Sequence, residues 1–249
     1  ADGRFIEKVV NHVPASGGAA AETQAALLDR APKALRHRFR AVTDDDYEDL
    51  AKLASMEVAR ALCVPLLDLT REPVKVIATL ADQAAGAGKA SVIVVPRSDR
   101  ARPLPSRALL RKVEDFLRER ASATASISAV GPLYLRVGVT AHIKLASLSQ
   151  RDRIEYDLQQ ALAGWLHPLI GRGGAGWPFG REPHASDIHR LISKVAGVSH
   201  LIDLELAMEA DVPAAGWAEN LALAERTRAV RETRRFLVYS AGRHDIKFY

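Results

Sequence analysis

Residues 133–145 read L-Y-L-R-V-G-V-T-A-H-I-K-L, and their reading decides the fold. Apolar side chains stand at Leu133, Leu135, Val137, Val139, Ala141, Ile143 and Leu145, with Tyr134, Arg136, Gly138, Thr140, His142 and Lys144 between them. Alternation with a period of two marks a strand that buries one face and wets the other. Gly131 and Pro132 start it, and Ser147 and Ser149 stop it. A strand this long needs cover, and helical patterns on either side can supply it.

Upstream, residues 125–130 read as a strand. Pro103 and Pro105 precede a helix with Leu109, Leu110, Val113, Phe116 and Leu117 inward and a charged outer face. Residues 74–80 and 91–95 read as strands joined by a Gly-containing turn. Thr43 caps a helix, Asp46 completes a capping box, and the three carboxylates of its first turn suit the positive end of a helix. Tyr47, Leu50, Ala51, Ala54 and Val58 form its buried stripe. Residues 21–40 read as helix, broken near Ala31 by Pro32, which lacks a donor. Before it, residues 4–10 read as a short strand and 11–18 as a turn.

Downstream, a helix over about 149–166 turns Ile154, Leu158, Leu162, Trp165 and Leu166 inward. Ser186 caps a short helix using Ile188, Leu191, Ile192 and Val195, and Gly197 ends it. Residues 198–208 alternate again as a strand, 209–235 read as an insertion, and 236–240 with 245–249 read as a terminal hairpin. The predicted fold class is α+β. Residues 1–42 form a helical arm and 43–168 a small two-layer sandwich ordered strand-helix-strand-strand-helix. A Gly-rich joint covers 169–185, and a second small α+β domain covers 186–249.

The 249 residues leave room to bury a core, and the longest apolar runs are far too short to span a bilayer. The lone cysteine, Cys63, excludes an internal disulfide and fits a reducing compartment. No secretory leader opens the chain, and Ala1 in place of Met suggests a fragment. The whole charge of +5 lies after residue 225, where seven Lys/Arg face Glu232 and Asp245. Upstream, a basic run (Arg30, Lys33, Arg36, Arg38, Arg40) is followed at once by an acidic one (Asp44, Asp45, Asp46, Glu48, Asp49). Adjacent blocks of opposite sign suit a protein surface better than a nucleic-acid groove.

No catalytic, cofactor-binding or metal-ligating set is expected. The Gly86–Lys89 turn lacks the first glycine and the hydroxyl of a phosphate loop, with Gln83 and Ala90 there instead, and it leads into a strand. G-R-G-G-A-G at 171–176 matches the dinucleotide glycine pattern but follows a helix and runs into Trp177 and Pro178. His184 and His189 miss the i,i+4 spacing of helical zinc ligands, and Ser186, Asp187 and His189 sit together at one helix start.

Three segments carry a resemblance. G-W-P-F-G-R at 176–181 is followed by the Ser186-Asp187-Ile188 helix and by Ala196-Gly197-Val198 leading into a strand; R-A-V-T-D-D-D-Y-E-D-L-A stands at 40–51 and N-H-V-P-A-S-G-G at 11–18. In their order along the chain they resemble the baseplate J-like family, the wedge proteins of contractile phage tails and phage-tail-like injection particles. The resemblance implies a structural subunit without cofactors, assembled in the cytoplasm into a six-fold particle. Its partners would be other wedge subunits, the central hub or spike and the sheath-initiating proteins. It implies no specific nucleic-acid binding, and a rearrangement on contraction. The substantial N-terminal part usual in that family is missing, which again suggests a fragment. Gly176, Trp177, Pro178, Phe179, Gly180 and Arg181 become a structural joint or subunit interface. Within the insertion Arg226, Arg228, Arg231 and Arg235 become candidate partner contacts. The alternative class is a basic α+β nucleic-acid-binding module using those arginines.

Overall fold

The computed structural model describes residues 21–212 and 216–249, so the strand and turn expected before residue 19 lie outside the described residues. The chain forms two compact units, Ala1–Arg38 and Phe39–Tyr249. In the first, helix α1 (Gln24–His37) is capped by Thr23, whose hydroxyl accepts from the Ala26 N–H, and ends on Arg38 in the left-handed region. It runs through Pro32 without the expected break. Proline there removes a single donor, and the end caps and the Arg30–Glu22 and Lys33–Asp29 pairs stay in place. Leu28 and Leu35 are exposed on it.

The second unit holds two small mixed sheets, so the α+β class is the observed one. Helix α2 (Asp44–Ala54) begins with the expected reciprocal box between Thr43 and Asp46. It stops before Val58, because Ser55 is extended and V-A-R-A-L-C-V-P forms strand β1 (Val58–Pro65) instead. The 74–80 segment is likewise not a strand. The Lys75 carbonyl, with that of Pro73 just before the segment, accepts from the Arg235 guanidinium, and a Thr79–Asp82 capping box starts helix α3 (Leu80–Ala85). Strand β2 (Lys89–Pro96) pairs antiparallel with β1 and parallel with β3 (Ser126–Val130). Helix α4 (Arg107–Arg118), capped by Ser106, packs with α2 on one face of this sheet around Leu50, Val92, Val94, Val113 and Leu117.

The 133–145 stretch becomes strand β4 (Tyr134–Leu145), the central strand of the second sheet rather than a neighbour of β3. Helix α5 (Arg151–Trp165) and helix α6 (Ala185–Ile192) cover its odd-numbered face around Val139, Ala141, Ile143, Leu158 and Ile188. Ser186 lies inside α6, and His184 holds the capping position. Tyr134, on the even-numbered face, is wholly buried, and its hydroxyl donates to the Pro103 carbonyl. Strand β5 (Val198–Ala210) pairs antiparallel with β4, and helix α7 (Leu223–Glu232) packs on its C-terminal half.

The expected terminal hairpin does not form. Strands β6 (Leu237–Ser240) and β7 (Asp245–Phe248) both run parallel to β4, one after the other along the same edge. Between them His244 turns inward. Its Nδ1 accepts from the Val139 N–H that the interruption leaves free, and Nε2 bonds the Ser240 hydroxyl.

Candidate functional site

The G-W-P-F-G-R segment lies where the two sheets of the second unit meet. The chain leaves α5 through a run of tight turns closed by Gly176 N–H to Gly171 C=O and Trp177 N–H to Pro168 C=O. Gly176 and Gly180 have φ of +70° and +69°, the left-handed region that suits glycine. A β-carbon on Gly180 would stand 2.1 Å from the Arg234 carbonyl oxygen, so the backbone approach is closed to any larger residue. Trp177 is wholly buried, donates its indole N–H to the Trp165 carbonyl at 2.8 Å, and packs edge-on against the Trp165 ring. Phe179 is half-buried between residues of the first sheet (Ile93, Val95) and of the second (Tyr134, Leu237).

Three arginines fasten the same region. Arg60, from β1, donates to the carbonyls of Pro168 and Trp177 and lies over the Phe179 ring. Arg102 pairs with the Asp211 carboxylate at 2.9 Å, donates to its carbonyl, and stacks on Tyr134. Arg235 reaches the Pro73 and Lys75 carbonyls. Burial lowers the pKa of Arg60 and of Arg235, yet a guanidinium keeps its charge, so each must be met by oxygens. Tyr239 donates to Asp211, and burial together with that bond pushes its pKa up to about 12. These side chains hold and orient. None forms a nucleophile–base pair, and burial raises the Cys63 thiol pKa far from reactivity.

The structure gathers the six residues of 176–181 in one place and disperses the four arginines of the insertion. Arg226 donates to the Val212 carbonyl, Arg231 grips Glu182 with two bonds at 2.7 Å, and Arg235 is the buried fastener above. Arg228 stays exposed beside Glu232, and Arg181 is exposed at the end of the joint. Sequence reasoning missed Arg60 and Arg102. The available signal was a lone arginine inside the apolar run V-A-R-A-L-C-V. Among the described residues no group of three His, Cys, Asp or Glu is placed to hold a metal ion, and no helix is long and apolar enough to cross a membrane.

The family model for baseplate protein PVC11-like matches residues 3–180. The chain belongs to this family. Membership makes the PVC11-like chain a structural baseplate protein, and the matched region ends within the joint. A chain of the anti-feeding prophage baseplate, seen by cryo-EM with six-fold symmetry imposed, is similar to it at TM-score 0.58 and 19% identity. That similarity covers 88% of this PVC11-like chain and 42% of the prophage chain, so the protein spans less than half the length of the relative it matches. No curated protein matches it.

Proposed function

We propose that this PVC11-like baseplate protein is a wedge subunit of the baseplate J-like kind, linking the central hub or spike to the first ring of the sheath and rearranging when the particle contracts. The observation that carries the reading is the fastened joint: Trp177 plugs it, and Arg60, Arg102 and Arg235 tie the two sheets through carbonyl and carboxylate bonds. A subunit that passes force between hub and sheath needs to move as a body, with the change taken up at its interfaces. The likeness over most of this chain to a component of a six-fold baseplate supports the same reading. In it, residues 169–185 act as a fixed joint between two small domains, the exposed Arg181 and Arg228 meet neighbouring subunits, and the 1–42 arm packs on another chain through the exposed leucines of α1.

The nucleic-acid alternative fits less well, since Arg226, Arg231 and Arg235 are turned to oxygens of this chain. The test is cross-linking mass spectrometry on purified native particles, before and after triggered contraction. The reading expects links from this chain to both hub and sheath-proximal proteins, with inter-subunit links changing on contraction and links within 43–249 unchanged. Links confined to the tube or to the particle's cargo would overturn it.

A further inference from the structure

We propose that the outer edge of β5 is a docking site for an extended segment of a neighbouring baseplate subunit, which joins the second sheet as an added strand. The inference rests on the baseplate reading above. Among the described residues β5 pairs only with β4. The Asp211 N–H donates to the Tyr134 carbonyl, which fixes the parity of the ladder: 205, 207 and 209 turn their backbone groups toward β4, and 204, 206, 208 and 210 turn theirs outward.

Both ends of this edge are closed. The Leu204 N–H is taken by the Asp203 carboxylate at 2.9 Å, just after a register shift opposite His142 and Ile143. The Ala210 N–H is taken by the Thr227 hydroxyl of α7, also at 2.9 Å. Bulges and local capping of this kind are how a protein blunts a sheet edge against stray pairing. Between the closed ends, the N–H and C=O groups of Leu206 and Met208 find no partner among the described residues. Their spacing is that of a strand's own ladder, so another extended backbone satisfies them together.

The side chains say what that strand carries. Beside the open stretch lies a groove of about 830 Å³, lined by apolar Met208, Leu223 and Ala224 and by the Arg228–Glu232 and Arg231–Glu182 pairs. A strand added to β5 sends alternate side chains to the two faces. One set enters this groove and is aliphatic. The other lies on the opposite face beside the exposed Glu205, which calls for a basic neighbour. The occupant is therefore an extended segment of a partner subunit that alternates aliphatic and basic residues.

The experiment compares amide hydrogen exchange over 204–210 in the chain alone and in purified baseplates that contain it. The expected result is at least about tenfold slower exchange at Leu206 and Met208 in the assembly. Met208→Pro removes the outward donor at a position proline tolerates on an edge, and Met208→Leu keeps both donor and apolar bulk. M208L should enter the baseplate and M208P, folded by circular dichroism, should not; if M208P fails to fold, the exchange result decides. Free-chain exchange rates at both amides in the assembled baseplate, or normal assembly of folded M208P, would overturn the docking site. Failure of the unaltered chain to enter a baseplate at all would instead overturn the reading on which it rests.

Discussion

The two sheets of the second unit are built around strands of opposite character. Strand β2 is buried over all but its first residue, with α2 and α4 on one face and Leu67, Leu69 and Ile77 on the other. Strand β4 alternates: its odd-numbered face is packed, while Arg136, Gly138, Thr140, His142 and Lys144 stay exposed or half-exposed. A sheet closed on both faces is an internal wall, and one with an open face and an open edge is built to be covered by something else. The difference assigns support to the first sheet and contact to the second, with the joint coupling them.

The coupling gives the largest effect. Trp177→Ala removes a fully buried indole and its bond to the Trp165 carbonyl, which should cost roughly 3–5 kcal/mol, and adding Phe179→Ala should cost more. Urea unfolding of the single and double variants measures it. A double variant as stable as the parent, and still able to assemble, would break the comparison, because the sheets would then stand without their plug.

Arg60→Met comes next. It keeps much of the side chain's bulk but leaves the Trp177 carbonyl without its side-chain donor, while the Pro168 carbonyl keeps only the Trp177 N–H. At about 1–3 kcal/mol for a buried group left unmet, a loss of about 1–3 kcal/mol is expected. The exposed Arg228→Ala should stay within about 0.5 kcal/mol. Equal losses in the two variants would mean that burial does not separate fastener from surface.

Much of this division was legible in the sequence, and the misreadings share a cause. The period-two pattern of β4, the stripe of α4 and the Thr43–Asp46 box were readable because each is a local pattern answered by local structure. The absent strand at 74–80 and the absent hairpin at 236–249 were set by distant partners. Arg235 takes carbonyls about 160 positions away in the chain, and β6 and β7 each choose β4 over each other. The joint was legible as a Gly- and aromatic-rich break in pattern. Its fasteners were not, since nothing local marks which arginine will be buried.

A pH effect follows from the seam between β6 and β7. His244 accepts from the Val139 N–H, so a protonated ring would set one donor against another, and burial lowers its pKa below the ordinary 6.5. The unfolded chain then holds the proton more tightly than the folded one. Stability should be full above about pH 6.5 and fall as pH drops through that value. Urea midpoints at pH 7.5 and 5.5 check the slope. His244→Gln should flatten it, and an unchanged slope would remove His244 from the account.

One small effect is a gain. Gly138 lies mid-strand in β4, where glycine has more freedom to lose on folding than any other residue. A β-carbon there would meet nothing nearer than the Ala207 β-carbon at 3.8 Å, an ordinary contact. Gly138→Ala should therefore stabilise the chain by about 0.4–1 kcal/mol. The matching change near the first sheet, Gly86→Ala, puts a β-carbon 1.9 Å from the Leu66 carbonyl oxygen and should destabilise. Thermal unfolding of the two variants reads both signs. A loss in G138A would mean that the outer face of β4 is already covered within the chain, and the contrast between the sheets would fail where it is most exposed.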